Sequence, residues 1–176
     1  WLLVLLCGCV SAQAPPGPGS FSFGIMGDMP YFQYERAWTS DIVRDMGTHD
    51  LAFIAHVGDI KGGSDPCTDE PMLWNRKLFD GSRHPLVYLP GDNEWADCYR
   101  TRSGGYDPEG RLQRLREIFY PDDYSLGQRR IRLERQSADS RYAAYRENVR
   151  WQQGVVLFVG MNMPGSNNNY GRTATA

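Results

Sequence analysis

Three aspartates, each placed directly after a glycine that ends an apolar run, are the residues whose type and spacing could carry chemistry. They are Asp28, Asp59 and Asp92, and the apolar runs before them cover residues 23–26, 52–57 and 86–89. One Gly-Asp pair after a strand is usually only a turn, in which glycine supplies the bend and aspartate caps the next helix. Three copies at matching strand ends predict that three carboxylates converge. Because clustered carboxylates repel one another unless a cation neutralises them, the pattern predicts a metal site.

The elements that must position these carboxylates alternate between strand and helix. Apolar runs predict strands at about 21–26, 51–57 and 86–89, and helical stripes of apolar residues predict helices at 34–46 and 70–80. This order is typical of a parallel sheet with right-handed crossovers, hence of an α/β fold. Ligands of such sheets lie beyond the carboxyl ends of the strands. The topology alone therefore predicts that the three aspartates share one crevice.

The second half of the chain has a different pattern. Asp107 and Pro108 predict the N-cap and first residue of a third helix, which ends at Tyr120. Residues 142–151 and 155–161 predict a β-hairpin, and the very apolar second segment predicts a central strand. A core strand so near residue 176 predicts a truncated domain. Asparagines at 162 and 167–169 could line the pocket, although asparagine-rich loops are more often simple turns.

Charge is unevenly distributed along the chain, although the net charge is only −2. Residues 21–99 carry 13 acidic and 6 basic side chains, whereas residues 100–150 carry 8 acidic and 12 basic ones, all arginine. A phosphate-binding track could be built from these arginines. Because acidic residues are interleaved with them, a solvated face is the favoured interpretation, and no nucleic-acid partner is expected.

The first 12 residues are typical of a signal peptide, with an apolar run too short to span a bilayer and small residues before Gln13. Residues 13–20 predict a Pro/Gly spacer. We therefore expect a secreted or periplasmic protein without a stable membrane span in the mature chain. Lipoprotein anchoring at Cys9 is the weaker alternative.

Cys67 and Cys98 are the cysteines that would remain after removal of the signal peptide. Each lies a few residues beyond a Gly-Asp turn, on loops expected at the same edge of the sheet. In an oxidising compartment this placement predicts a disulfide. Two thiols alone would make a poor zinc site. Of the histidines, His56 lies inside an apolar strand, which favours a core residue over a metal ligand, and His49 and His84 belong to the far edge.

The three turns resemble the motifs of the calcineurin-like metallophosphoesterases. That family folds as a β-sandwich flanked by helices and holds two metal ions at its strand ends. The resemblance covers about residues 21–94, in the correct order, and implies that residues 21–176 are the N-terminal part of such a domain. Later motifs, which supply three histidine ligands, do not occur before residue 176.

The resemblance assigns a role to each matching residue. Asp28 corresponds to the first-motif aspartate, but Pro30 stands where that motif has histidine, and Tyr31 is the nearest replacement donor. Asp59 corresponds to the aspartate that bridges both metals.

The third motif is matched by Gly91-Asp92-Asn93-Glu94. This alignment implies that Asp92 is a metal ligand and that Glu94 is the acidic residue that ends the motif. It also implies that Asn93 is the catalytic residue, at the position of a histidine that assists the leaving group. Asparagine is not a general acid, although it can donate a hydrogen bond to a phosphoryl oxygen.

The function implied is that of an exported phosphoesterase, which hydrolyses a phosphate ester with two divalent or trivalent metal ions (Fe, Mn or Zn). We expect the 176-residue chain alone to be inactive, because it lacks the family's later histidines. The alternative is a non-catalytic binding protein on the same fold, motivated by Pro30 and Asn93.

Overall fold

The computed structural model describes residues 19–163 and 165. This part of the chain forms a mixed α/β structure with two three-stranded sheets and three α-helices. The predicted signal peptide (1–12), most of the predicted spacer (13–20) and the asparagines at 167–169 lie outside the described residues. Within them, no helix has the length and apolarity that crossing a bilayer requires.

The first sheet is parallel, as the alternation of strands and helices predicts. It consists of β1 (Gly24–Met26), β2 (Ile54–His56) and β3 (Leu86–Tyr88), in the order β1-β2-β3. Each strand is shorter than its apolar run. The ladder nevertheless extends beyond the strand ends, because Val57 N–H donates to the Met26 carbonyl and Leu89 N–H donates to the His56 carbonyl. All three Gly-Asp turns follow at the carboxyl edge.

Three helices cover one face of this sheet: α1 (Glu35–Met46), α2 (Asp69–Asp80) and α3 (Pro108–Phe119). They begin and end within a residue or two of the predicted bounds. Asp107 caps α3 as predicted, its side chain accepting a hydrogen bond from the Gly110 N–H. The main core lies between the helices and the sheet, where Phe79 of α2 and Phe119 of α3 pack on Tyr88 of β3.

The second sheet is antiparallel and packs on the other face of the first. It contains β4 (Glu134–Arg135), β5 (Val149–Gln153) and β6 (Val156–Gly160), in the order β4-β5-β6. The β5–β6 hairpin is confirmed. A second core joins the two sheets, since Phe158 of β6 lies with its ring centroid 4.9 Å from that of Phe53 and 5.3 Å from that of Trp151.

The prediction that the apolar run at 155–161 forms a central strand is wrong for the part of the chain that the structure describes, where β6 lies at a sheet edge. Phe158 and Gly160 face the first sheet. The alternate residues face away from it, so Leu157 is 60% exposed and Val159 is 59% exposed. A continuous apolar run therefore did not indicate burial on both faces.

Candidate functional site

Two glycines bring the turns after β2 and β3 into direct contact. A Cβ atom at Gly58, whose φ is +98°, would lie 2.2 Å from the Gly91 backbone nitrogen. A Cβ atom at Gly91 would lie 2.1 Å from Asp59 Oδ1. Because real Cβ atoms do not approach other atoms so closely, only glycine allows the loop after β3 to pass beside the Asp59 carboxylate. We call this contact of Gly58 with Gly91, and of Gly91 with the Asp59 side chain, the glycine cradle.

Asp28 and Asp59 share an unusual backbone conformation. Both lie in the left-handed region, with φ of 57° and 58° respectively, which aspartate tolerates better than most residues. The Asp28 N–H donates to the Gly58 carbonyl at 3.0 Å, so the first turn is hydrogen-bonded to the second. The repeated Gly-Asp pattern therefore produces the same local geometry in two adjacent turns.

Tyr31 connects the carboxylates of these two turns. Its hydroxyl donates to Asp28 Oδ1 at 2.8 Å and lies 3.3 Å from Asp59 Oδ2. Burial, followed by the hydrogen bond to Asp28 and the charge of Asp59, raises the pKa of the Tyr31 phenol. Proximity in sequence to Pro30 was the signal that marked Tyr31 as a candidate donor, and the structure brings its oxygen to both predicted ligands.

Asp92 lies on the loop beside Asp59. The Asn93 N–H donates to Asp59 Oδ1 at 3.3 Å, which joins the two loops next to the carboxylates. The pKa of Asp59 is raised, first by burial and then by the negative charges of Asp92 and Asp28. The three aspartates predicted as metal ligands therefore act on one another electrostatically at one edge of the sheet.

The carboxylates do not by themselves complete a metal site. Among residues 19–163 and 165, no group of three or more His, Cys, Asp or Glu side chains could hold a metal ion as a set. Asp28 and Asp59 are instead joined by the Tyr31 hydroxyl. Carboxylate and phenol oxygens are hard donors, the class of ligand that a hard cation would require.

Asn93, predicted as the catalytic residue, is only 7% exposed. Its side-chain Nδ2 donates to the Lys61 carbonyl at 3.0 Å. A Cβ atom at Gly63 would lie 2.7 Å from Asn93 Oδ1, so the amide is enclosed on both sides. Its hydrogen-bond donor therefore joins the loops after β2 and β3.

Glu94, one residue further, is fully buried and was expected only as the closing acid of the third motif. Its Oε1 accepts from the Tyr88 hydroxyl at 2.8 Å and from the backbone N–H groups of Ile60 (3.2 Å) and Gly91 (3.3 Å). Its Oε2 has no hydrogen-bond partner. Burial, followed by the charge of Asp59, raises the pKa of Glu94 to about 7. One oxygen of the buried Glu94 carboxylate, Oε1, therefore hydrogen-bonds to the turns after β2 and β3.

Lys61 is a site residue that sequence reasoning missed. It is 4% exposed, and its Nζ donates to the carbonyls of Gly62 and Asp65, each at 3.0 Å. Burial lowers the pKa of Lys61, although the charges of Glu94 and other carboxylates oppose this shift. Together with Tyr31 and Arg36 it lines a cleft of about 520 Å³. A lone lysine two residues after a Gly-Asp turn was the available signal.

The predicted disulfide between Cys67 and Cys98 is confirmed, with Cα atoms 5.7 Å apart. Both sulfur atoms lie 3.7 Å from the carbonyl oxygen of Asn93, so the bond braces the loop after β3 directly.

The interpretation of His56 as a core residue also agrees with the structure. It is fully buried against Phe79, and its Nδ1 accepts from the Gly58 N–H at 3.2 Å. Burial lowers the pKa of His56 to about 4.

Comparison with known proteins adds no assignment: the chain matches no family model, no curated protein and no solved structure.

Proposed function

We propose that this chain is the N-terminal part of an exported, metal-dependent phosphoesterase of the calcineurin-like type, acting on a phosphate ester. The observation that carries the proposal is the contact of Asp28 and Asp59 through Tyr31, at a sheet edge where Asp92 also acts on Asp59. Two packed sheets with helices on one side are compatible with an α/β fold.

The proposed roles of the carboxylates follow from their positions. Asp59 lies between the other two and would contact both ions, whereas Asp28 and Asp92 would each hold one. When bound, two such ions neutralise phosphoryl oxygens and lower the pKa of water, which is the chemistry that ester hydrolysis requires. Lys61 would contribute positive charge to the wall of the adjoining cleft, where a phosphate group would enter.

The proposed localisation is outside the cytoplasm, in a secreted or periplasmic protein whose residues 1–12 act as a signal peptide. The disulfide between Cys67 and Cys98 fits an oxidising compartment.

Metal content of two matched variants tests the proposal. In the intact protein, Asp59→Asn removes the proposed bridge, so mutual repulsion should expel one cation and lower the stoichiometry from two ions per protein to one or fewer. Asp92→Asn keeps an oxygen ligand and should retain both. Asp50→Asn, an exposed aspartate before β2, is the control for loss of a surface charge. Equal metal content in the Asp59 and Asp92 variants would contradict the bridging role of Asp59.

A non-catalytic binding protein on the same fold is the second candidate. The observation that favours it is the hydrogen bond from the Asn93 amide to the Lys61 carbonyl, which engages one of the two N–H groups of the predicted catalytic donor in a structural contact. Metal titration of the full-length protein with an aryl phosphate separates the two functions. Tight metal binding without hydrolysis would favour the binding protein, and metal-dependent hydrolysis would favour the enzyme.

A further inference from the structure

A second cavity, of about 900 Å³, lies between helices α1 and α2 near the C-terminal ends of both. Cavities of roughly this size hold small molecules in many proteins. Helix α1 has 12 residues and is therefore about 18 Å long. Its first residue, Glu35, accepts a hydrogen bond from the Tyr31 N–H near the carboxylates. The cavity is at the other end of the helix, so it is separate from the candidate site described above.

The charge of this cavity is opposite to that of the chain around it. Residues 21–99 carry 13 acidic and 6 basic side chains. Three of those basic residues, Arg44, Lys77 and Arg83, line the cavity, and none of its described lining residues is acidic. Arg44 and Lys77 lie in the last turns of α1 and α2, where a cation also interacts favourably with the helix dipole. That effect does not account for Arg83, which comes from the loop after α2.

The three cations retain hydrogen-bond donors for a ligand. Within the part of the chain that the structure describes, the exposed Lys77 has no hydrogen bond or ion pair. Arg83 donates from Nη1 to the Gly47 carbonyl at 2.9 Å, which fixes its guanidinium at the cavity and leaves its other N–H groups available. Arg44 pairs with Asp41, but both side chains are more than half exposed, and such pairs contribute little energy. An anion in the cavity could therefore contact all three.

Apolar side chains form the rest of the binding surface. Val43 is 5% exposed, and Leu78 and Trp74 are half-buried beside it. The Trp74 ring is held by Arg36, whose guanidinium carbon lies 5.0 Å from the ring centroid. Arg36 is in turn fixed by two hydrogen bonds to Glu70, each of 2.6 Å. A flat indole fixed beside aliphatic side chains suits a planar apolar ring.

We propose that the cavity between α1 and α2 is a binding site for a small aromatic anion, that is, a planar ring bearing a carboxylate, sulfonate or phosphate group. Arg44, Lys77 and Arg83 bind the acidic group. The ring packs on Trp74 and Leu78. Because this site is separated from the carboxylates by the length of α1, it does not depend on the proposed phosphoesterase activity.

Binding of 2-naphthoate to the full chain tests this proposal, and 2-naphthalenemethanol is the uncharged ligand with the same ring. Two-dimensional NMR of the backbone amides gives both the affinity and the location. We expect naphthoate to bind with a Kd of about 1 mM or tighter and to shift the signals of Gly47 and Gly81. The uncharged ligand should bind at least about fivefold more weakly. Lys77→Gln should weaken naphthoate binding about threefold or more, whereas Arg102→Gln, at an exposed arginine outside the cavity, should not.

Several outcomes would overturn the proposal. They are equal affinity for the charged and uncharged ligands, unchanged naphthoate affinity in Lys77→Gln/Arg83→Gln, and shifts confined to Gly58 and Gly91 at the carboxylate edge. Absence of binding at about 10 mM naphthoate would have the same meaning. If the double variant does not fold, Lys77→Gln alone decides, because this exposed side chain has no partner to lose among the described residues. Metal content of the Asp59 variant tests the proposed function separately.

Discussion

The candidate site has two walls that are held in very different ways. One, here called the braced wall, consists of the loops at residues 58–67 and 89–98, and the other, the light wall, is the loop at residues 27–34. The braced wall is tied by the Cys67–Cys98 disulfide, by Glu94 and by the Asn93 amide. The light wall carries an exposed Asp28 and is joined to the braced wall by the Tyr31 hydroxyl and one backbone hydrogen bond.

This difference indicates how the site could accept a cation. Asp59 is fixed by the braced wall, whereas Asp28 and Tyr31 lie on the light wall, where adjustment disturbs few buried contacts. A cation bound as proposed would therefore meet Asp59 already in position, whereas Asp28 and Tyr31 would move toward it. Each prediction below, made for the metal-free protein, either breaks the contrast between the walls or measures it.

Removing the disulfide should weaken the braced wall most strongly, and so should reduce its difference from the light wall. In Cys67→Ser/Cys98→Ser, loss of a bond that joins residues 31 positions apart should lower the free energy of unfolding by about 3–4 kcal/mol, on the loop-entropy model. Urea denaturation of the variant and the oxidised wild type gives this difference. The same protein with reductant should match the variant. An unchanged midpoint would show that the braced wall does not depend on the bond.

The second prediction concerns pH and the buried Glu94. Its pKa of about 7 in the folded chain exceeds the usual glutamate value of about 4.3 expected on unfolding. The unfolded chain therefore releases the proton first, and stability falls as pH rises between these values. Glu94→Gln removes this loss, so its stability relative to wild type should rise by about 3 kcal/mol from pH 4.3 to 7.

His56 provides the opposing contribution to the same measurement. Its pKa of about 4 in the folded chain lies below the usual histidine value of about 6.5, so its contribution to stability increases with pH over this interval. In wild type the two contributions oppose each other, and Glu94→Gln should expose the rise due to His56. Chemical denaturation of wild type and Glu94→Gln at several pH values measures the difference in stability between them. A stability difference independent of pH would contradict the buried, protonated state of Glu94.

Gly91→Ala tests the close approach of the braced loops. The added Cβ would lie 2.1 Å from Asp59 Oδ1, so the loop must move, and we expect a loss of about 2–3 kcal/mol in the free energy of unfolding. Gly105→Ala is the matched control, because its Cβ would meet nothing within 4 Å and only its positive φ is unfavourable. Thermal unfolding of both variants measures the difference. Equal losses would mean that the cradle is not tightly packed.

The smallest effects on stability should come from the removal of two tyrosine hydroxyls. One is bonded to Glu94 of the braced wall, and the other lies on the light wall. Tyr88→Phe removes a buried hydrogen bond to Glu94 and should cost about 1 kcal/mol. Tyr31→Phe removes a hydroxyl at the half-buried light wall, where water can replace it, and should cost about 0.5 kcal/mol or less. Denaturant midpoints compare them. A larger loss for Tyr31→Phe would reverse the assignment of the two walls.

Much of the fold followed from local patterns in the sequence. Helix α3 was predicted from Asp107 and Pro108 because an N-cap acts through its own neighbouring backbone. The parallel sheet followed from the alternation of elements. Strand β4, with two residues, has no periodicity of its own, and its pairing with β5 depends on tertiary contacts. The edge position of β6 likewise depends on its neighbours, which an apolar run does not specify.

Part of the candidate site could also be located from the sequence, although its function stays a prediction. Repeated Gly-Asp pairs marked Asp28, Asp59 and Asp92, and loop positions marked Cys67 and Cys98. The burial of Lys61, the multiple contacts of Glu94 and the engagement of the Asn93 amide arise where loops from different strands meet. Such contacts depend on side-chain placement across the sheet edge, and spacing along the chain carries no information about them.

The disulfide also has a consequence for the order of events during biogenesis. Both sulfur atoms lie against the Asn93 carbonyl, so before oxidation the loop after β3 lacks its covalent tie. A chain still in a reducing environment would hold the loops of Asp59 and Asp92 together through the hydrogen bonds of Glu94 and Asn93 alone. If the chain is exported and binds metal as proposed, metal loading would follow translocation, and the ions available in the destination compartment would determine which metal the protein acquires.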